Sequence, residues 1–97
     1  MPTRLQDLPT PCLLLERPRF ERNCARLRQR IAGLGAALRP HLKTCKSGPA
    51  AEVMLAGGNG SATVSTLREA AEFAALGVRD MIYAVGIAPQ KLDRAAR

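Results

Sequence analysis

Four short runs with strand character, Cys12 to Glu16, Ala37 to Lys43, Ser61 to Thr66 and Asp80 to Val85, alternate with stretches whose apolar residues recur every three or four positions. Runs that short suit strands, and the longer periodic stretches suit helices. Strict alternation with brief connections is the pattern of parallel β-α units, because a helix must carry the chain back before the next parallel strand can start. The expected order is β-α-β-α-β-α-β-α, an α/β chain.

Local signals support each element. Pro9 and Pro11 open the apolar run Cys12 to Leu15, and Pro18 stands where the first turn of a helix tolerates proline. Phe20, Cys24, Leu27, Ile31 and Leu34 then form one apolar stripe, closed by Gly33 and Gly35. Ser47 is placed to cap a short second helix from Gly48 to Ala56, ended by the Gly57 to Gly60 turn. Thr66-Leu67-Arg68-Glu69 is a capping box, in which threonine and glutamate each satisfy the other's free backbone N–H, and Leu67, Ala70, Ala71, Ala74 and Ala75 are expected to face inward. A last helix is expected from Gln90 to Arg97.

Composition narrows the function classes. With 46% hydrophobic and 24% charged residues among 97, the chain falls in the globular range, but three aromatic residues and no tryptophan leave few large core anchors. The net charge is +7, and six of the fifteen basic residues lie between Arg17 and Arg30. No aromatic residues interleave with those arginines and no nucleic-acid-binding motif accompanies them, so a solvated helix face is expected and nucleic acid is not an expected partner. Cys12, Cys24 and Cys45, spaced by 12 and 21, match neither metal pairs nor a disulfide framework. The amino-terminal apolar run is too short for a leader or a membrane span, which leads to the expectation of a cytoplasmic protein with no membrane contact.

No strand ends in a GxGxxG fingerprint. Gly33-Leu34-Gly35 runs into a strand and Gly58-Asn59-Gly60 precedes one, so both are read as helix ends and turns. The stretch RPHLKTCKSGPA, residues 39 to 50, is the chemical focus. If residues 37 to 43 are extended, Arg39, His41 and Lys43 share one face, and Lys43 lies at the carboxyl end of the strand, where parallel α/β folds place their chemistry. Neighbouring cations disfavour a protonated lysine and so favour a nucleophilic amine. The same residues, with Lys46 and the capped helix start, also suit an anion site or a solvated loop, and residue types alone leave the three open.

A family resemblance separates them. Thr10-Pro11 before the run Cys12 to Leu15 and Glu16, Asn23 in the first helix, Arg39-Pro40-His41-Leu42-Lys43-Thr44, the run Thr63 to Ala70 and the run Tyr83 to Pro89 together resemble the amino-terminal part of the D-threonine aldolase and D-serine dehydratase family. These alanine racemase relatives are fold-type III enzymes that use pyridoxal phosphate on a (β/α)8 TIM-type barrel. The resemblance implies that residues 1–97 form the first half of such a barrel, and that Lys43 forms the internal aldimine with the cofactor. His41, two residues earlier, is implied to lie near the cofactor and to help set its position or protonation. Cys45 stands where many members carry a second histidine, and is read as a small filler.

The implied chemistry is a lyase reaction at a small D-β-hydroxy amino acid, either retro-aldol cleavage or loss of water, with the cofactor as electron sink. An amino-acid racemase or a cofactor-carrier protein is the alternative within the same fold, and a basic polyanion-binding module the alternative outside it. A homodimer is implied for the full-length family, as is a divalent metal whose ligands lie in a carboxyl-terminal domain, so no metal residue is assigned here. A complete barrel of this type needs about 250 residues. The chain is therefore expected to be incomplete, to lack activity alone and to associate through its open edges.

Overall fold

In the computed structural model, which describes residues 4–44 and 47–97, two parallel strands, Ser61–Val64 (β1) and Asp80–Tyr83 (β2), form the centre. Ser61 pairs with Asp80, Ala62 with Met81, Thr63 with Ile82 and Val64 with Tyr83. On the other edge of β1, His41 bridges Thr63 in the same parallel sense. The Leu42 N–H donates to the Thr63 carbonyl at 2.9 Å, and the Thr63 N–H donates to the Pro40 carbonyl at 2.8 Å. Three segments thus run side by side in chain order, as successive β-α units require.

Helices occupy the connections. Arg17–Gly33 (α1) precedes the bridged segment, Gly48–Leu55 (α2) leads from it to β1, and Leu67–Ala75 (α3) joins β1 to β2. The side chain of Ser47 accepts from the Ala50 N–H at 3.4 Å and that of Thr66 from the Glu69 N–H at 3.0 Å, so both predicted caps are in place. After β2 the chain makes a 3-10 turn, Pro89–Lys91, and a single helical turn, Leu92–Ala95 (α4), shorter than the helix expected over 90–97. Among the described residues no helix is long and apolar enough to cross a membrane.

Three expectations need correction. Residues 12–16 form no strand: the run is exposed, with Leu13 at 99%. An apolar run becomes a strand only where a neighbouring edge takes its N–H and C=O groups, and among the described residues no such pairing reaches this one. The strand expected over 37–43 contracts to the bridge at His41, since Pro40 has no N–H to continue the ladder. Finally, α3 buries Glu69 and Phe73, with Leu67 and Ala70 half-buried, while Ala71, Ala74 and Ala75 stay exposed.

Phe73 explains that rotation. The core consists of Leu42, Ala51, Ala62, Val64 and Phe73, with Met54, Leu55, Ala70, Val78, Met81 and Tyr83 packed against it. One phenyl ring fills what the small residues of α2 and β1 leave open, so it orients α3 more strongly than a row of alanines does. Helix α1 buries no residue. Its Arg28 guanidinium donates to the Ala56 carbonyl, which ties α1 to the end of α2.

Candidate active site

Side chains alternate across the strands, so the sheet has two different faces. Leu42, Ala62, Val64, Met81 and Tyr83 turn toward the helices and the core. On the opposite face, the bridge and the strand register align His41, Thr63 and Ile82 in one row across the three segments. That face carries the polar chemistry, and its two ends differ.

At the amino-terminal end, the Arg39 guanidinium reaches across all three segments. Its Nη1 donates to the Ala62 carbonyl at 3.0 Å, to the Asp80 carbonyl at 3.2 Å and to Asp80 Oδ1 at 3.0 Å, while Nη2 donates to Asp80 Oδ2 at 3.0 Å. The Ser61 hydroxyl donates to the same Oδ2 at 2.7 Å, and the Ser61 N–H donates to Asn59 Oδ1 at 3.0 Å. Hydrogen bonds from Arg39 first, and then from Ser61, hold the Asp80 carboxyl below its ordinary range. Arg39 is therefore engaged with an acid 41 positions away in the chain and four residues from Lys43 along its own segment. Of the three basic side chains expected on one face, Arg39 is thus engaged with Asp80, which leaves His41 and Lys43.

At the carboxyl end, Lys43 follows the bridge in an exposed turn. Its backbone N–H donates to His41 Nδ1 at 3.2 Å. A neutral imidazole accepting at Nδ1 carries its proton on Nε2, so this bond sets the ring's tautomer and folds it back against the lysine backbone. Among the described residues no ion pair engages Lys43. Cys45 and Lys46, the other singled-out residues of this loop, lie outside the described residues.

The neighbouring turn, which leaves β1, is fastened by a buried acid. Glu69 accepts from the Thr66 hydroxyl at 3.0 Å and from the Ser65 hydroxyl and N–H at 3.4 and 3.5 Å. The capping box thus forms with its return arm displaced by one residue, to the Ser65 N–H. Sequence reasoning found the Thr66 to Glu69 spacing but not the burial of Glu69. It also missed Asp80 as the partner of Arg39 and Ser61 as a second donor to that carboxylate; the signal for that pairing is the parallel register, which no local window contains.

An amine with no carboxylate partner among the described residues, beside an imidazole held by the backbone at the carboxyl end of parallel strands, suits covalent capture of an aldehyde. The residues present fit the aldehyde end of pyridoxal phosphate in that way. They do not fit a metal: among the described residues no group of three His, Cys, Asp or Glu side chains could hold an ion.

Comparisons with known proteins identify the family. The chain is 45% identical over 95 residues to D-threo-3-hydroxyaspartate dehydratase of Delftia sp. (strain HT23), covering 98% of this chain and 25% of that protein. It is 32% identical over 96 residues to D-serine dehydratase of Dictyostelium discoideum, covering 94% of this chain and 24% of that protein. The solved Delftia dehydratase structure superposes with a TM-score of 0.86 at 46% identity, over 92% of this chain and 24% of that one. An alanine racemase-like protein from Idiomarina loihiensis superposes with a TM-score of 0.75 at 47% identity, over 81% of this chain and 21% of that one. The chain thus spans about a quarter of the length of the curated relatives it matches. A family model described as alanine racemase, N-terminal domain, matches residues 15–97, and the chain belongs to that family.

Proposed function

We propose that the chain is the amino-terminal part of a pyridoxal phosphate-dependent lyase that removes water from a small D-β-hydroxy amino acid, on the first half of a (β/α)8 barrel. The observation that carries the reading is Lys43: an amine in an exposed turn at the carboxyl end of its segment, with no ion pair among the described residues, in a chain 45% identical to a D-threo-3-hydroxyaspartate dehydratase. Lys43 would hold the cofactor covalently through its aldehyde carbon, and His41 would lie beside it. When bound, the cofactor ring supplies an electron sink for a bond broken at the α-carbon.

The chain's own residues perform the placement. The bond from the Lys43 backbone N–H to His41 Nδ1 holds the ring beside the lysine. Glu69 fixes the Ser65 to Thr66 turn at the same end of the sheet.

Dehydration is favoured over retro-aldol cleavage because the curated relatives at 45%, 32% and 31% identity are all named dehydratases. Product analysis on the whole protein of which these residues form the amino-terminal part tests this. Loss of water from D-threo-3-hydroxyaspartate or D-serine ends in a keto acid and ammonia, whereas D-threonine aldolase chemistry ends in glycine and an aldehyde. A racemase inverts the α-carbon and releases neither. Keto acid and ammonia in equal amounts are expected, lost in Lys43→Ala; glycine, or inversion without ammonia, overturns the dehydratase reading.

A further inference from the structure

We propose that Arg39 and Asp80 form a positioning pair that sets the height of the Lys43-bearing segment on the sheet, with Ser61 holding the Asp80 carboxylate in place. Its consequence for the cofactor rests on the assignment of Lys43 above; its effect on the sheet does not.

The segment needs such a device. Two backbone hydrogen bonds around a single bridge join it to β1. A slip of one residue would turn Lys43 to the core face, and burial of Leu42 opposes that. A slip of two keeps the face and moves Lys43 along the strand by about 7 Å. Arg39 opposes this second slip, because its planar fork must meet acceptors on both neighbouring strands at once: the Ala62 carbonyl on β1 and the carbonyl and carboxylate of Asp80 on β2. The acceptor is itself fixed, by the Ser61 hydroxyl at 2.7 Å. Arg39 sits about 13 Å along the strand from Lys43, so it acts through the segment and touches no reacting atom.

Geometry, more than charge, does this. The Arg39 and Asp80 side chains are 29% and 59% exposed, where water screens an ion pair. A lysine at 39 keeps the charge but has a single ammonium in place of the fork, and cannot reach three groups in fixed directions. Arg39→Lys should therefore behave like Arg39→Gln.

The test is residue-resolved amide exchange on the full chain, in wild type, Arg39→Lys, Arg39→Gln and Asp80→Asn. Each is paired with borohydride trapping of pyridoxal phosphate at Lys43. The Leu42 and Thr63 amides, which carry the two bonds of the bridge, should exchange about tenfold faster or more in all three variants. The Ala84 amide, which donates to the Val64 carbonyl within the β1 and β2 pair, should change much less. Trapping at Lys43 should fall in step. Unchanged exchange at Leu42 and Thr63 in Arg39→Lys overturns the proposal, as does equal acceleration at Ala84, which would mark general loosening. Local acceleration without any fall in trapping overturns the link to the lysine. If wild type traps no cofactor at Lys43 while the exchange pattern holds, the pair stands as a staple of the sheet and the cofactor assignment fails.

Discussion

The two ends of the sheet's polar face are built on opposite plans. At the amino-terminal end, Arg39, Asp80, Ser61 and Asn59 close on one another across three segments. At the carboxyl end, Lys43 and His41 share one backbone bond, and the lysine amine has no carboxylate partner among the described residues. Both ends draw on the same short stretch of sequence. A saturated cation serves as a strut, while an unsatisfied amine remains available for chemistry; four positions along one extended segment separate the two roles.

Breaking the reactive end should have the largest effect. Lys43→Ala is expected to abolish covalent capture of the cofactor and product formation while leaving the secondary structure in place, since the side chain is exposed; circular dichroism beside an activity assay checks both. Removing the wall that both ends share comes next. Phe73→Ala should cost about 3–5 kcal/mol, enough to unfold a chain with so small a core, and denaturant titration of wild type and variant reads it directly.

Loosening the turn beside the lysine is a smaller change. Thr66→Ala removes the acceptor for the Glu69 N–H and one donor to its carboxylate, and should cost about 1 kcal/mol with the cofactor still on Lys43. The smallest effect is expected at the strut, through pH. The folded-state pKa of Asp80 is depressed, so its contribution is present above the ordinary carboxylate range and is lost as pH falls through the lowered folded value. Wild type should exceed Asp80→Asn in stability near neutrality, and the gap should close on acidification. A gap that stays constant with pH would show that the Asp80 charge plays no part.

What could be read from the sequence follows from the range of the interactions. Caps at Ser47 and Thr66 act within three residues and were legible, as was the alternation that makes the strands parallel. Apolar character at Cys12 to Leu15 was legible too, but pairing is a property of two segments, so the run reads as a strand and lies exposed. The orientation of α3 was misjudged because a stripe of alanines looks like an inner face until a single phenylalanine outweighs it. Position made Lys43 a candidate, and the family resemblance, not residue type, singled out Lys43 and set His41 beside it. Arg39 looked like a third member of that cluster because Asp80, its partner, is brought close only by the crossover of two helices.

Reductive trapping tests the division between the two ends most directly. Pyridoxal phosphate added to the full chain, reduced with borohydride and located by peptide mapping, has three lysines to choose from, Lys43, Lys46 and Lys91, besides the terminal amine. One cofactor per chain on Lys43 is the expected result. Label spread evenly over the amines, concentrated on Lys46 or Lys91, or absent would contradict it.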